Sequence, residues 1–219
     1  MPWENSDRAD IFLENYRDDL PDHLIEIKKY AEENHIPIMG NHTADILRFF
    51  IRTIRPQKIL EIGTAIGYSA LYMSECAEKK AKITTVELME KRYIIAEKNF
   101  EKYDDASAVT LIKKDAAIVL KTLCDENEKF GVIFLDAAKG QYPSFLESLI
   151  ELLEPGGVLV TDNIFHNGAV LDSRYAASQR DRTIHDRLRQ YLKMLFEKKE
   201  LETVTIPIDD GVTITKKCK

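Results

Sequence analysis

The stretch Lys58-Ile-Leu-Glu-Ile-Gly-Thr-Ala-Ile-Gly-Tyr-Ser-Ala-Leu71 determines what fold this 219-residue chain is predicted to adopt. Its first five residues form an apolar run typical of a buried strand, and residues from Tyr68 onward have the pattern of a helix. Between them lies a turn of small residues, Gly63 to Gly67, which a ligand can approach closely. A strand, a glycine turn and a helix in this order are typical of a nucleotide-binding βαβ unit, because free N–H groups lie at the helix N-terminus.

The spacing of the two glycines disfavours a dinucleotide. A Rossmann dehydrogenase has the pattern G-x-G-x-x-G, whereas here Glu61 precedes Gly63 and Gly67, and Tyr68-Ser69 stands where a pyrophosphate would need room. The next strand closes on Glu87, whose carboxylate is placed to accept hydrogen bonds from both hydroxyls of a ribose. The alternative for Glu87 is an acid that merely ends a strand. The pattern Glu-x-Gly-x-x-x-Gly resembles the first motif of class I S-adenosylmethionine methyltransferases, whose cofactor carries a sulfonium and no phosphate.

The composition is that of a globular chain, with 44% hydrophobic and 31% charged residues. Its length fits one domain with a full core. The acidic N-terminal region and the lack of a long apolar run predict neither a signal peptide nor a membrane span. Three scattered cysteines, Cys76, Cys124 and Cys218, fit reduced thiols in a cytoplasmic protein. The net charge of −6 gives no global attraction to nucleic acid, so such binding would need a local basic patch.

From Lys58 onward, apolar strand patterns alternate with helical ones. The predicted strands are Lys58–Ile62, Ile83–Glu87, Val109–Lys113, Gly131–Asp136, Gly157–Thr161, and a closing hairpin of Glu202–Ile208 and Val212–Lys216. The helices between them are Ser69–Glu78, Lys91–Tyr103, Ala116–Cys124, Tyr142–Leu153 and Ser173–Lys199. The alternation predicts an α/β fold with a seven-stranded, mostly parallel sheet, helices on both faces and a C-terminal antiparallel hairpin, which is the Rossmann-like class I methyltransferase architecture.

Residues 1–57 are predicted to form an N-terminal helical layer of the same single domain, ahead of an α/β core over residues 58–219. Its helices are Asp10–Leu20, Pro21–Asn34 and Thr43–Arg55. Between the last two lies Ile36-Pro-Ile-Met-Gly40, an extended apolar segment suited to lie over a cofactor. The helical layer could also be structural only.

Acidic residues follow four of the five predicted parallel strands, namely Glu87, Asp115, Asp136 and Asp162. Ligands of open α/β sheets bind at this edge, beyond the carboxyl ends of the strands. Asp115 can serve as a helix cap, contact an adenine, or do both.

A more specific candidate site consists of Asp136, Asp162 and Asn163. Neighbouring strands are only about 4.8 Å apart, so side chains at their ends can converge on one ion. Three oxygen ligands without His or Cys suit a hard cation, Mg²⁺ first, and leave positions open for substrate and water. The alternative is two independent loop acids. Lys139, three residues after Asp136, is either a catalytic group or a solvated loop lysine.

The segments Leu135-Asp-Ala-Ala-Lys-Gly-Gln-Tyr142 and Val160-Thr-Asp-Asn163, together with the glycine turn and Glu87, resemble the metal-dependent O-methyltransferases typified by the catechol and caffeoyl-CoA enzymes. The resemblance implies that Asp136, Asp162 and Asn163 hold Mg²⁺, and that Lys139 and Asp136 stand at the reaction centre. It implies S-adenosylmethionine contacts from Met39, Glu61, Gly63, Ser69, Glu87, Asp115, Ala116 and Asp136. It also implies a homodimer.

Within that family the chain most resembles the bacterial tRNA methyltransferases that convert 5-hydroxyuridine to 5-methoxyuridine at the anticodon wobble position. The resemblance rests on Ile36-Pro-Ile-Met39, the glycine turn, Asp136-Ala-Ala-Lys-Gly-Gln-Tyr142 and Ile206-Pro-Ile-Asp-Asp-Gly211. Lys114, where the family commonly has glycine, and the acidic N-terminus depart from it. The vicinal oxygens of 5-hydroxyuridine match the requirement of a chelating ion, and so do those of a catechol.

The region of the last long helix is locally basic and is a candidate surface for the tRNA anticodon. Its candidate phosphate contacts are Arg174, Arg180, Arg182, Arg187 and Arg189. A solvated helix face is the alternative, and Tyr142, Phe165 and Tyr175 are candidates for base stacking or for packing. No DNA or membrane partner is expected. The other functional hypotheses are a small-molecule catechol-type O-methyltransferase, a non-catalytic nucleotide- or RNA-binding module and, least favoured, a dehydrogenase.

Overall fold

The computed structural model describes residues 11–174 and 181–218, and the chain divides into two compact units between Ile36 and Pro37. In the first unit, residues 11–14 are helical and helix α1 spans Asp22–Glu33. Helix α1 begins directly after Pro21, which confirms the predicted second helix to within one residue at each end.

The predicted helix Asp10–Leu20 is too long. Its helical described residues end at 14, where the side-chain amide of Asn15 donates to the carbonyl oxygens of Ile11 and Phe12 at 3.2 and 3.3 Å. Those oxygens would otherwise accept bonds from a following helical turn. Leu20 precedes a proline and is therefore also biased away from helical backbone.

The second unit begins with residues 37–40 in an extended segment, followed by helix α2. It contains seven strands: β1 Lys58–Ile62, β2 Lys82–Val86, β3 Val109–Ile112, β4 Phe130–Leu135, β5 Leu153–Thr161, β6 Leu201–Ile206 and β7 Val212–Lys217. Its α-helices are α2 Asn41–Ile54, α3 Tyr68–Cys76, α4 Glu90–Tyr103, α5 Ala116–Asp125, α6 Tyr142–Leu152 and α7 Arg182–Glu197, with a 3₁₀ turn at Lys139–Gln141.

The strands form one sheet in the order β3-β2-β1-β4-β5-β7-β6. The first five strands are parallel, and β7 pairs antiparallel with both β5 and β6. This confirms the predicted parallel sheet with a C-terminal hairpin. β4 is buried along its whole length, as expected of a central parallel strand covered on both faces.

The predicted helix Ser173–Lys199 begins too early. Ser173 and Arg174 are not helical, residues 175–180 lie outside the described residues, and α7 begins at Arg182 and ends at Glu197. The guanidinium of Arg189 on α7 donates to the carbonyl oxygens of Val170 and Asp172, at 3.0 and 2.7 Å. Residues 170 and 172 therefore lie beside the helix, a contact that helical periodicity cannot reveal.

None of the helices in the described parts of the chain is both long and apolar enough to cross a membrane.

Candidate active site

The parallel register brings the ends of β1, β4 and β5 to one edge of the sheet. The amide of Asp136 donates to the carbonyl oxygen of Ile62 at 3.0 Å, and the amide of Asp162 donates to that of Leu135, also at 3.0 Å. Each acid is thus the first residue after its strand and is still tied to the neighbouring strand. The topology alone places Asp136 beside Asp162, as the sequence predicted.

A cavity of about 380 Å³ opens at this edge. Most of the predicted site residues line it, namely Gly63, Glu87, Asp115, Ala116, Asp136, Lys139, Asp162 and Asn163. Met39, Glu61 and Ser69 do not, and each is buried. The volume is within the range of small-molecule and cofactor sites.

Gly63, which follows β1, allows the backbone to approach Asp136, which follows β4. Its φ is +109°, and a Cβ at this position would lie 1.9 Å from the backbone oxygen of Asp136. Only glycine fits such an approach without moving the neighbouring backbone. The glycine that the sequence assigned to ligand approach therefore also sets the position of Asp136.

Glu87 is fixed by backbone groups on both sides of its carboxylate. One oxygen accepts from the amide of Ala65 at 2.9 Å, and the other accepts from the amides of Leu88 and Met89 at 3.0 and 2.9 Å. The side chain is only 7% exposed, yet it lines the cavity. Three N–H donors hold its carboxyl group in one orientation, which suits an acid that binds a diol.

Glu61 and Ser69, both predicted cofactor contacts, are hydrogen-bonded to each other and do not line the cavity. The carboxylate of Glu61 accepts from the hydroxyls of Ser69 and Thr85, its register partner on β2. Thr85 in turn lies 2.5 Å from the hydroxyl of Thr64. The Glu61 side chain is fully buried, and burial raises its pKa to about 7, against the two hydrogen bonds, which lower it.

Glu61→Gln is expected to flatten the pH dependence of folding stability. Because the folded pKa lies above the unfolded value of 4.5, the favourable contribution of Glu61 is complete below pH 4.5 and is lost as the pH rises through 7. A shift of this size corresponds to about 3 kcal/mol. Glutamine can still accept from Ser69 and can donate to Thr85, whose hydroxyl then turns toward Thr64.

This prediction is tested by urea denaturation of the parent and of Glu61→Gln, without ligand, between about pH 4.5 and 8. The difference in unfolding free energy, variant minus parent, should rise by about 3 kcal/mol across this range. A difference that stays constant with pH would show that Glu61 does not titrate between the folded and unfolded values.

The predicted metal ligands converge on the cavity with Lys139. Asp162 is 2% exposed, and one of its carboxylate oxygens accepts from the amide of Asn163 at 2.7 Å. The Nζ of Lys139 donates to Oδ1 of Asn163 at 3.1 Å, so this lysine is not a free solvated side chain. The hydroxyl of buried Tyr142 donates to the backbone oxygen of Asp162 at 3.3 Å, which makes Tyr142 a packing residue here.

The two acids at this edge repel each other. Burial raises the pKa of Asp162 to about 7, and the nearby charges of Asp136 and Asp209 raise it further, while Lys139 lowers it. Burial likewise raises the pKa of Asp136, against the lowering effects of Lys139 and Arg92. The site thus disfavours a negative charge on both acids at once.

Asp115 acts as the N-cap of α5, since its carboxylate accepts from the amide of Ala117 at 2.8 Å. It also lines the cavity beside Ala116, so capping and ligand contact are compatible, as the sequence left open. In the extended segment before α2, Pro37 and Ile38 line the cavity, whereas Met39 does not.

Pro37 and Ile38 belong to the extended segment that the sequence predicted to lie over a cofactor, and both line the cavity. Ten further lining residues were not named as site residues, namely Ile62, Ala65, Val86, Leu88, Arg92, Lys114, Ala137, Ala138, Gln141 and Phe145. Many are immediate neighbours of predicted residues, whereas Phe145 is not. Arg92 lies inside a charged helix, where no sequence signal distinguishes it from its neighbours.

Two of the five candidate RNA-binding arginines, Arg174 and Arg189, are bonded within the protein. Arg174 pairs with Asp186 at 2.8 Å, and Arg189 binds backbone oxygens as described above. Arg182 is partly buried and Arg187 is exposed on α7, while Arg180 and Tyr175 lie outside the described residues. Arg187 is therefore the clearest exposed cation of the predicted set among the residues that the structure describes.

The sheet order and the cavity at its carboxyl edge define a Rossmann-like methyltransferase. A sequence profile described as O-methyltransferase matches residues 14–218, so the chain belongs to this family of S-adenosylmethionine-dependent O-methyltransferases.

Three individual proteins are also similar to this chain. A caffeoyl-CoA O-methyltransferase of Stellaria longipes is 26% identical over 203 residues, covering 90% of this chain and 83% of that protein. A catechol O-methyltransferase of Niastella koreensis is 32% identical over 127 residues, 58% of each chain. The crystal structure of the methyltransferase PaMTH1 of Podospora anserina, bound to S-adenosylhomocysteine, superposes with a TM-score of 0.84 at 28% identity, covering 97% of this chain and 94% of that one.

Proposed function

We propose that this O-methyltransferase is metal-dependent and transfers the methyl group to one of two vicinal oxygens of its acceptor. The observation that carries the proposal is the convergence of Asp136, Asp162 and Asn163 on the cavity that Glu87 also lines. One cavity then contains a set of hard ligands beside a fixed acid suited to a ribose.

The residues fit a divalent cation. Two carboxylates and an amide oxygen are hard donors, which suit Mg²⁺, and buried acids at neighbouring strand ends need a compensating positive charge. Because one of the three ligands is an asparagine, the site is not among groups of three His, Cys, Asp or Glu side chains, and the described ranges contain no such group that could hold an ion. When bound, the cation would supply chelation of two adjacent oxygens and a lower pKa for the hydroxyl that attacks.

The remaining chemistry falls to side chains of this chain. Methyl transfer is an in-line displacement, so the acceptor oxygen must be aimed at the sulfonium methyl group. Lys139, whose Nζ lies at Asn163, is placed to take the acceptor proton or to hold the negative charge on that oxygen. Glu87 orients the cofactor ribose, and Pro37, Ile38 and Phe145 provide apolar walls that exclude water.

For the acceptor, we propose 5-hydroxyuridine at the wobble position of tRNA. The support is the resemblance carried by Ile36-Pro-Ile-Met39, Asp136 to Tyr142 and Ile206 to Gly211, together with the vicinal O4 and O5 of this base. Exposed Arg187 is the described side chain best suited to a phosphate contact. A cytoplasmic homodimer remains part of this proposal.

A small catechol-type acceptor is the second candidate. Two observations favour it: Arg174 and Arg189 are bonded within the protein, and the relatives named above are caffeoyl-CoA and catechol enzymes.

The decisive experiment incubates the protein with S-adenosylmethionine, Mg²⁺ and either tRNA containing 5-hydroxyuridine or a simple catechol, with an EDTA control. Nucleoside mass spectrometry should show one added methyl group on 5-hydroxyuridine, and EDTA should abolish it. Methylation of the catechol alone would move the function to small molecules. Equal turnover with excess EDTA would contradict the metal dependence.

A charge reversal separates the two acceptors further. Arg187→Glu is expected to lower kcat/KM for tRNA about tenfold, because a phosphate contact is lost and a repulsion is added, and to leave catechol turnover unchanged. Lys121→Glu, at another exposed helix position, is the matched control. Equal loss in both variants would mean that only global charge matters.

A further inference from the structure

The turn between β6 and β7 contacts two segments that border the cavity. On one side, the amides of Ile164 and Phe165 donate to the backbone oxygens of Gly211 and Asp210, at 3.0 and 2.9 Å. These contacts directly follow Asn163, which lines the cavity. The turn therefore holds the segment that leaves the predicted metal site.

On the other side, Asp209 caps helix α2. Its Oδ2 accepts from the amide and the hydroxyl of Thr43, at 3.1 and 3.2 Å, and its Oδ1 lies 2.9 Å from Nδ1 of His42. The N-cap residue of α2 is Gly40, which has no side chain to bond the free amides of the first turn. A carboxylate from a distant turn thus takes the role that Ser, Thr or Asp usually has at the N-cap itself.

The fit between the turn and the helix is close. A Cβ on Gly40 would lie 2.6 Å from Oδ2 of Asp209, so the absence of a side chain at this position admits the carboxylate. The side chains of Asp209 and His42 are each only 24% exposed. Gly40 ends the extended segment in which Pro37 and Ile38 line the cavity, so the cap fixes the end of that cavity wall.

We propose that Asp209 is a positioning residue for the cofactor site: by capping α2 across Gly40, it holds in place the cavity wall formed by Pro37 and Ile38. The inference rests on this cavity being the S-adenosylmethionine site and not on the identity of the acceptor. Asp209 does not line the cavity, and we infer that it acts through its bonds to residues 42 and 43.

The test measures binding of S-adenosylhomocysteine by calorimetry, with amide hydrogen exchange of residues 37–43, on the full chain well below its unfolding temperature. Asp209→Ala should weaken binding at least fivefold and accelerate exchange in this segment. Asp209→Asn keeps one oxygen that can accept from Thr43, and should recover most of the affinity.

Asp104→Ala is the matched control. Asp104 likewise accepts from two backbone amides, those of Ala108 and Val109 at 3.0 and 2.8 Å, but it serves the turn before β3 and not the cavity wall. This variant should lower the unfolding temperature and change the affinity less than twofold. Comparison of Asp104→Ala with Asp209→Ala distinguishes the general effect of losing a carboxylate that bonds backbone amides from the specific effect of losing the cap on α2.

Three results would overturn the proposal: Asp209→Ala binding within twofold of the parent, Asp104→Ala weakened to the same extent, or Asp209→Asn as defective as the alanine variant. If Asp209→Ala does not fold, Asp209→Asn is used to test the proposal. Its affinity for S-adenosylhomocysteine should be slightly below that of the parent. Its amide exchange in residues 37–43 should be faster than in the parent and slower than in a freely exchanging segment. Failure of the parent protein to bind would contradict the cofactor site, and the exchange rates would still show whether Asp209 holds the wall.

Discussion

Asp162→Ala is expected to lower kcat/KM for methyl transfer at least about a thousandfold while leaving S-adenosylmethionine binding within a few-fold of the parent. Metal ions supply several kcal/mol to such reactions, and each 1.36 kcal/mol corresponds to a tenfold change in rate. Asp162 lies at the end of β5, whereas Glu87, the acid suited to the cofactor ribose, lies at the end of β2 on the far side of β1 and β4. The two functions should therefore separate in one variant.

A second signature accompanies the loss of activity. Asp162 is buried beside another acid, so in the metal-free protein its removal is expected to leave the unfolding temperature unchanged or to raise it. Turnover comes from a radiometric or mass-spectrometric methylation assay, and cofactor affinity comes from calorimetry. Activity that survives the substitution, or loss of activity that only follows unfolding, would contradict the role of Asp162 as a metal ligand.

Gly63→Ala is expected to destabilise the fold by roughly 2–6 kcal/mol and to abolish cofactor binding. The new Cβ would overlap the backbone oxygen of Asp136, and a φ of +109° is unfavourable for any side chain. Backbone strain and overpacking each cost about 1–3 kcal/mol. Relief of the overlap requires β1 and β4 to separate at their ends, which displaces Asp136.

Gly156→Ala is the control for the strain alone. Gly156 also has a positive φ, +79°, but a Cβ there meets nothing within 4 Å. We expect a loss of about 1 kcal/mol and unchanged binding of S-adenosylhomocysteine. Urea denaturation of both variants gives the comparison, and equal destabilisation would show that the close approach at Gly63 has no energetic consequence.

Most secondary-structure elements and the main candidate site residues could be predicted from local residue order. Strand and helix periodicity depend on local residue order, so β1, α3, β4 and the closing hairpin were predicted to within a few residues. The acids Glu87, Asp136 and Asp162 could be assigned to one edge because they follow parallel strands, and parallel strands end on the same side. The turn at Gly63 is formed by residues adjacent in the sequence, so the prediction that a ligand can approach it closely could also be made from the sequence.

Contacts between side chains that are far apart in the sequence depend on the packing of the whole chain and could not be predicted. The tertiary structure bonded Glu61 to Ser69 and Thr85, because the register of β1 with β2 is set by packing of the whole sheet. It ended the first helix early and started α7 late, since the competing hydrogen bonds come from Asn15 and Arg189 and not from helix propensity. It also brought Asp209 to the first turn of α2, 166 residues before it in the chain. Contacts of this kind depend on how elements pack, and no local pattern encodes them.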